Sequence, residues 1–407
     1  MSDTQPKIIL SDDQKLALDV MIEWYKQGNL STMTVGGYAG TGKSTLISQF
    51  RENVNKSHRI AFCCYTGKAS NVLRNKMKNL TENYPGDTIS TIHSLIYVPV
   101  IDEITKKIIR WELKKFGSLD YDLIVIDEAS MVDQETYADL LSFGIPILAV
   151  GDHGQLPPVS GNSNLMNDPI VKLEKIHRQA KGNPIIHLSE VARNEGYIPY
   201  GVFGDGVAKV QKNSPIISNF IFHSKNFKDT VLLCGFNKTR VQLNKKIREF
   251  LKLDSNNYPC VGDRVVCLKN NREAKNCPIY NGVQGTVVTY SLLAGYAESE
   301  IAIDGEDMPY FGPLSHLCWN QDKPDLTNLV KVKRLEFGQE GNAFKMVMQY
   351  PDLFDYGYSL SVHKSQGSEW DRVLLIEQPC QHWSGENWNR WLYTAITRAK
   401  RQLLMVY

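Results

Sequence analysis

The chain has 407 residues, 42% of them hydrophobic and 22% charged, with a formal net charge of +2. That length accommodates two or three domains, each with its own core. The charge neither demands nor forbids a nucleic-acid partner, because a protein that grips one strand along a narrow track needs no strongly basic surface. The longest apolar runs fall far short of the roughly 18 residues that span a bilayer. Residues Met1 to Pro6 carry no apolar signal core, so a soluble protein of the cytosol, or of the host cytosol if viral, is expected. None of the eight cysteines forms a C-x-x-C pair, the nine histidines are dispersed, and no structural metal is expected.

In chain order, residues 11–28 read as an amphipathic helix, with Ser11 as N-cap and Leu16, Leu18, Val20, Met21 and Trp24 on one side. A β-prone stretch, Met33-Thr34-Val35, leads into Gly37-Tyr38-Ala39-Gly40-Thr41-Gly42-Lys43-Ser44, and Thr45 to Phe50 can continue as a helix. The run fits G-x-x-x-x-G-K-[ST], the phosphate-binding loop, in the strand–loop–helix context that supports it. Glycines let backbone N–H groups close around phosphate oxygens, and the helix N-terminus adds a favourable dipole. Gly37, Ala39, Gly40, Thr41, Gly42, Lys43, Ser44 and Thr45 are therefore candidate nucleoside-triphosphate-binding residues. Lys43 can reach the β and γ phosphates and Ser44 can ligate Mg²⁺.

Strand and helix patterns alternate to about residue 155. Ile60 to Cys64, Leu123 to Ile126 and Ile147 to Val150 are short, β-rich runs expected of strands buried on both faces of a parallel sheet, with Cys63 and Cys64 inside it. The pattern is α/β and doubly wound. Residues 97–101 and 108–112 flank a polar tip and read as an inserted β-hairpin, about 96–114, which is either specialised or an ordinary surface hairpin. Asp127 and Glu128 end one apolar strand; Asp127 can hold Mg²⁺ through water and Glu128 can polarise the attacking water. Gln155 lies in the loop after the next strand, where α/β sheets bind ligands, and can sense the γ-phosphate.

A second α/β pattern starts at Leu232, with a helix carrying Val241, Leu243, Ile247 and Leu251. Between about 259 and 346 short strands recur with turn signals, and Asp304-Gly305 is the best two-residue hairpin turn among them. This region reads as a small β-barrel inserted into the second α/β domain. The α/β pattern returns near 358 and runs to Tyr407.

Several of these strings resemble one family. Gly151-Asp152-His153-Gly154-Gln155-Leu156-Pro157-Pro158 is similar to the third motif of superfamily 1 DNA helicases, and Asp127-Glu128-Ala129-Ser130-Met131 to the second. Val362 to Asp371 resembles the fifth and Leu392 to Ala399 the sixth. The variants most resemble the superfamily 1B, RecD-like and Dda-like branch, over nearly the whole chain and in order.

The resemblance implies two RecA-like P-loop NTPase domains: 1–180, and 181–258 with 347–407, the latter holding an SH3-like barrel at 259–346. It implies that the nucleotide is ATP, that Gln14 reads adenine and that Glu369 contacts the ribose. Arg178 and Arg398 would complete the site on domain closure and stabilise the charge of phosphoryl transfer. Thr66 and Lys68 in motif Ia, Thr91 and His93 beside it, and His363 and Lys364 in the second domain would hold single-stranded DNA. The hairpin would be a wedge at a fork and the barrel a brace. Two departures stand out: Tyr65 replaces the usual proline before Thr66, and could stack on a base or pack inward; Ser361 replaces a threonine and keeps the hydroxyl.

The function implied is an ATP-dependent helicase moving 5′ to 3′ on single-stranded DNA and opening forked duplexes. It would act as a monomer, with replication or recombination proteins as possible partners. The alternatives are a translocase that strips bound proteins with little unwinding, an RNA helicase, and a DNA-binding module with a dead ATPase fold. Intact Lys43, Asp127, Glu128 and Arg398 argue against the last, and the 2′-hydroxyl would decide between RNA and DNA.

Overall fold

The structure, a computed structural model, describes residues 9–28, 31–77, 83–101, 108–158, 165–175, 182–224, 227–253, 257–271, 274, 277, 279–337, 344–379 and 385–407. The chain divides into two compact units, Met1–His187 and Leu188–Tyr407.

The first unit opens with helix α1 (Asp12–Lys26), whose acidic first turn and Lys26 in the last turn complement the helix dipole. Gln14, Ala17, Leu18, Met21 and Trp24 are buried. This stripe advances three or four residues at a time. Leu16, expected on the buried face, falls between its members and is 65% exposed.

Six strands form a parallel sheet: β1 (Met33–Gly37), β2 (Ile60–Cys64), β3 (Thr88–Thr91), β6 (Leu123–Asp127), β7 (Ile147–Gly151) and β8 (Val171–Leu173). Between β3 and β6 lies an antiparallel hairpin of β4 (Tyr97–Ile101) and β5 (Ile108–Leu113), registered Tyr97 to Leu113. Its tip, 102–107, lies outside the described residues. The sheet order is β3-β2-β6-β7-β1-β8, and β8 was not foreseen in the sequence. Alternation along the strands separates two cores. Phe62, Cys64, Leu123 and Val125 face helices α1, α2 (Lys43–Asn53) and α3 (Gly67–Lys76). Ala61, Cys63, Ile124 and Ile126 face the other side, with α4 (Ile92–Ile96) and α5 (Gln134–Leu141). Each fully buried Leu, Ile, Val or Phe contributes about 1.5–3 kcal/mol, which explains why these runs tolerate so few polar residues.

The second unit is entered within helix α6 (Pro184–Glu195). Its sheet runs β19 (Ser359–Ser361), β11 (Thr230–Cys234), β20 (Trp370–Ile376), β21 (Ala399–Val406), β10 (Val207–Val210), β9 (Gly201–Gly204), all parallel except the edge strand β9. Helices α7 (Pro215–Phe222), α8 (Asn237–Phe250), α9 (Val362–Ser365) and α10 (Glu386–Ile396) accompany it. The sequence pattern begins this sheet at β11, but two strands precede it. In β10, Lys209 is buried against Glu377 at 2.8 Å and faces the rings of Tyr197, Tyr200 and Tyr407.

Between α8 and β19 lies an antiparallel sheet of β15 (Tyr310–Ser315), β14 (Tyr296–Ile303), β13 (Gln284–Leu293), β12 (Arg264–Cys267) and β18 (Phe354–Tyr356). A bridge between Leu314 and Asp352 brings its two ends together. A separate hairpin joins β16 (Val332–Phe337) to β17 (Phe344–Gln349). The tight two-residue turn is at Ala294-Gly295, where Leu293 pairs with Tyr296 and Gly295 has φ 85°. Asp304-Gly305 lies instead in a longer connection, because β15 does not begin until Tyr310. Buried ion pairs, Arg248 with Asp263 and Arg240 with Asp355, tie α8 to this inserted sheet.

Candidate nucleotide and nucleic-acid site

The phosphate loop follows β1, at the C-terminal edge of the parallel strands. Gly40 and Gly42 both have φ 80°, a left-handed backbone that glycine adopts without a Cβ penalty. At Gly37 a Cβ would stand 2.6 Å from Thr41 Oγ1, so a side chain there would push into the loop. The Tyr38 carbonyl accepts from Thr41 N at 3.3 Å, Thr41 Oγ1 at 2.8 Å and Lys43 Nζ at 3.1 Å. Lys43 Nζ also donates to the Gly37 carbonyl at 2.8 Å. Its ammonium thus lies folded over the loop it would serve. Ala39, Ser44 and Thr45 are half-buried.

Gln14 ties α1 to this loop. Its Nε2 donates to the Thr41 carbonyl at 2.9 Å and its Oε1 accepts from Ser11 N at 3.0 Å. The side chain is buried, so both bonds hold the amide in one orientation.

Asp127 ends β6, next to β7, and Glu128 follows it. Burial pushes the Asp127 carboxyl above its ordinary pKa, while Lys43, the Glu128 backbone N–H and Lys76 pull it back. Glu128 has φ 56°, an uncommon conformation for a non-glycine residue and one concentrated at functional sites. Lys76 Nζ lies 3.4 Å from Ser44 Oγ. Ser44 and Asp127 therefore share a lysine neighbour, and a hydroxyl and a carboxylate are the hard oxygen donors that Mg²⁺ takes alongside nucleotide phosphates. Among the described residues, no group of three or more His, Cys, Asp or Glu could hold a metal by itself.

After β7, Asp152 is fully buried and organises the next loop. Its Oδ1 accepts from Gly154 N at 2.9 Å and its Oδ2 accepts from Gln155 Nε2 at 3.2 Å. The Gln155 carbonyl oxygen is left without a hydrogen-bond partner among the described residues. The His153 ring packs on that of Tyr38 at 4.1 Å, linking this loop to the phosphate loop. Asp152 was read only as part of a motif; the signal the sequence offers for its orienting role is an acid two residues before a glycine and three before a glutamine.

Thr66 and Thr91 lie on adjacent strand ends, Cys64 pairing with Thr91. Both cap helices: Thr66 Oγ1 accepts from Ala69 N and Thr91 Oγ1 accepts from Ser94 N, each at 3.2 Å. Lys68 is half-buried in the first turn of α3. His93 is exposed and packs between Tyr97 and Trp111 of the hairpin, at 4.5 and 4.6 Å. Tyr65 is 39% exposed, and partial burial raises the pKa of its phenol.

In the second unit, Ser361 caps α9 by accepting from Lys364 N at 3.4 Å. His363 is half-buried and burial lowers its pKa, while Lys364 is exposed. Glu369 is exposed, 4.0 Å from Lys400. Arg398 is 3% exposed and donates to the Thr394 carbonyl at 3.0 Å, and to the Ser368 carbonyl and Thr397 Oγ1 at 3.1 Å each. Arg178 lies outside the described residues.

Residues 25–161 match the AAA domain family and residues 356–406 the UvrD-like helicase C-terminal domain family. The chain is 24% identical to the RecBCD enzyme subunit RecD of Buchnera aphidicola over 91% of its own length and 69% of that protein's. It is 26% identical to the ATP-dependent RecD2 DNA helicase of Deinococcus radiodurans, over 96% of its own length and about half, 48%, of the relative's. The Pif1 helicase from Bacteroides, solved with ADP-AlF3 and single-stranded DNA, superimposes with a TM-score of 0.56 at 17% identity, covering 98% of this chain and 92% of that one. Pif1 of Candida albicans gives 0.50 at 18% identity, covering 98% and 95%. The fold is thus the two-domain RecA-like one, each domain built on a parallel sheet. With the motifs in order and the matched relatives spanning its length, the chain is similar to the superfamily 1B helicases of the RecD-like and Pif1-like kind.

Proposed function

We propose that this protein is an ATP-dependent DNA helicase that moves 5′ to 3′ on single-stranded DNA and opens forked duplexes. The observation that carries the reading is the strand-end constellation of the first unit: the phosphate loop with Lys43, the acids Asp127 and Glu128, and Gln155 held by Asp152. RecD2 is named an ATP-dependent DNA helicase, one Bacteroides Pif1 structure holds single-stranded DNA and another Pif1 structure concerns unwinding at forked duplexes. Polarity rests on family likeness.

In this reading Lys43 positions the terminal phosphates and Gln14 and Glu369 hold the base and ribose. Ser44 and Asp127 would hold Mg²⁺, which offsets phosphate charge. Glu128 takes a proton from the attacking water. The Gln155 carbonyl oxygen, buried and without a partner among the described residues, accepts from that water once nucleotide binding admits it, because Asp152 has engaged its amide nitrogen. Arg398 and Arg178 supply charge stabilisation, worth roughly 10³-fold or more in such enzymes. Thr66, Lys68, Thr91 and His93 on one domain, and His363 and Lys364 on the other, grip the strand. Two grips that change spacing with the nucleotide state give directed movement. The β4–β5 hairpin serves as wedge, and the inserted sheet is a barrel that braces the DNA.

Among the described residues no helix is long and apolar enough to cross a membrane; we place the protein in the cytoplasm, working as a monomer. The deciding experiment is strand separation on duplexes with a 5′ or a 3′ tail, with and without ATP. ATP-dependent opening of the 5′-tailed duplex alone is expected. Opening only from a 3′ tail refutes the polarity, and DNA-stimulated ATPase without opening favours the protein-stripping translocase.

A further inference from the structure

We propose that Lys76 competes with the nucleotide-bound magnesium ion for Ser44, and that helix α3 links this competition to the DNA-facing end of motif Ia. The inference rests on the nucleotide-site reading given above. Lys76 is the last residue of α3, and its ammonium donates to Ser44 Oγ at 3.4 Å, across 32 positions of chain. A lysine in the last turn of a helix is ordinarily explained by the helix dipole. Arg74, in the same turn, fits that explanation and a local contact, donating to the Ile89 carbonyl at 3.1 Å. Lys76 does something else: it reaches the hydroxyl that opens α2, and it also acts on the Asp127 carboxylate.

A hydroxyl oxygen has two lone pairs, but an ammonium held at this range and a divalent cation in contact with the same oxygen repel each other at close quarters. Entry of the cation therefore favours departure of the ammonium. Lys76 is exposed and has a flexible four-carbon stem, so it can leave at modest cost. Helix α3 gives the exchange a direction. It begins at the Thr66 cap and Lys68 and ends at Lys76 ten residues later, about 15 Å at 1.5 Å per residue. Ala69 and Leu73 anchor it in the core beside Leu46, Ile47 and Phe50 of α2. A shift of its first turn on strand binding would be felt at its last.

The test is binding of a fluorescent N-methylanthraniloyl-ADP to the full chain, titrated with MgCl2, with and without oligodeoxythymidylate. Lys76→Ala should lower the Mg²⁺ concentration for half-maximal binding roughly two- to fivefold, the scale of one exposed charge contact. Lys76→Arg should stay within about twofold of the parent. The oligonucleotide should lower the Mg²⁺ requirement of the parent but not of Lys76→Ala. An unchanged or raised requirement in Lys76→Ala overturns the competition. A DNA effect that survives in Lys76→Ala overturns the linkage through α3. A parent chain whose ADP binding is indifferent to Lys43→Ala overturns the nucleotide-site reading itself, and this inference with it.

Discussion

Arg398 offers a test in which anchoring and catalysis predict different things. Its guanidinium is buried and donates to three oxygens of its own domain. Each such bond contributes roughly 1 kcal/mol net, so Arg398→Ala should cost about 2–3 kcal/mol if all three are lost. For a unit the size of Leu188–Tyr407, about 2–4 °C per kcal/mol gives a fall in melting temperature of roughly 4–12 °C. A guanidinium that also stabilises the transferring phosphoryl group predicts a second loss, about 10³-fold or more in kcat. Arg398→Lys keeps the charge but not the planar fork. It should recover part of the stability and little of the turnover. The assays are calorimetry and DNA-stimulated ATPase at saturating ATP, well below the variant's melting temperature. A melting fall of the stated size with kcat within about threefold of the parent refutes the catalytic role and leaves Arg398 as an anchor.

Lys43→Ala should abolish ATPase, by roughly 10²-fold or more, while leaving single-strand binding intact; retained turnover refutes the site. Deleting residues 102–107 should remove unwinding and spare DNA-stimulated ATPase; equal loss of both counts against a wedge. Lys209→Met should cost about 3–5 kcal/mol, because it leaves the Glu377 carboxylate buried alone. Burial already raises the Glu377 pKa and Lys209 opposes that, so removing the lysine raises it further. A carboxyl whose folded pKa exceeds its unfolded one loses stability as pH rises past the unfolded value, near the usual 4.5. The deficit of Lys209→Met should therefore widen from pH 5 to pH 7.5 in chemical denaturation, and a constant deficit contradicts the assignment.

What the sequence revealed was local. The phosphate loop announces itself because glycine spacing and the following lysine are one contiguous demand of backbone geometry. Strands β2, β6 and β7 were legible because both their faces are buried, which leaves uninterrupted apolar runs. What stayed hidden depended on partners far along the chain. Strand β10 carries a lysine that is buried only because Glu377 and three tyrosines surround it. Helix α8 was legible from its apolar positions; that three of its buried residues, Arg240, Asn244 and Arg248, are polar and paired with Asp355, the Tyr356 carbonyl and Asp263 was not. Thr66 and Thr91 were read as DNA contacts from their motifs, while the helix-capping bonds that orient them follow from position alone. Lys76 carried no signal beyond its place in a last turn.

One feature of the chemistry unites the site residues. Lys43 is bonded to the carbonyls of Gly37 and Tyr38, Gln14 to Thr41, Lys76 to Ser44, and Arg398 to Thr394 and Ser368. Lys43, Gln14 and Arg398, proposed to meet the nucleotide, and Lys76 beside them are thus already bonded to the chain's own oxygens. Nucleotide binding at these groups would then be an exchange of partners rather than the capture of idle charges, each exchange giving back part of the interaction energy, roughly 1 kcal/mol per bond. Ground-state affinity would be tempered, while a transition state with more negative charge on the same oxygens would gain in full. Carbonyls released in this way would register the nucleotide's arrival. The Tyr38 carbonyl joins Lys43 to Thr41, Thr41 joins Gln14 and α1, and the Tyr38 ring joins His153 and the Gln155 loop. A loop wired this way would convert phosphate contact at Lys43 into strain on two neighbouring elements, the first requirement of the proposed motor, which must feel its fuel before it moves.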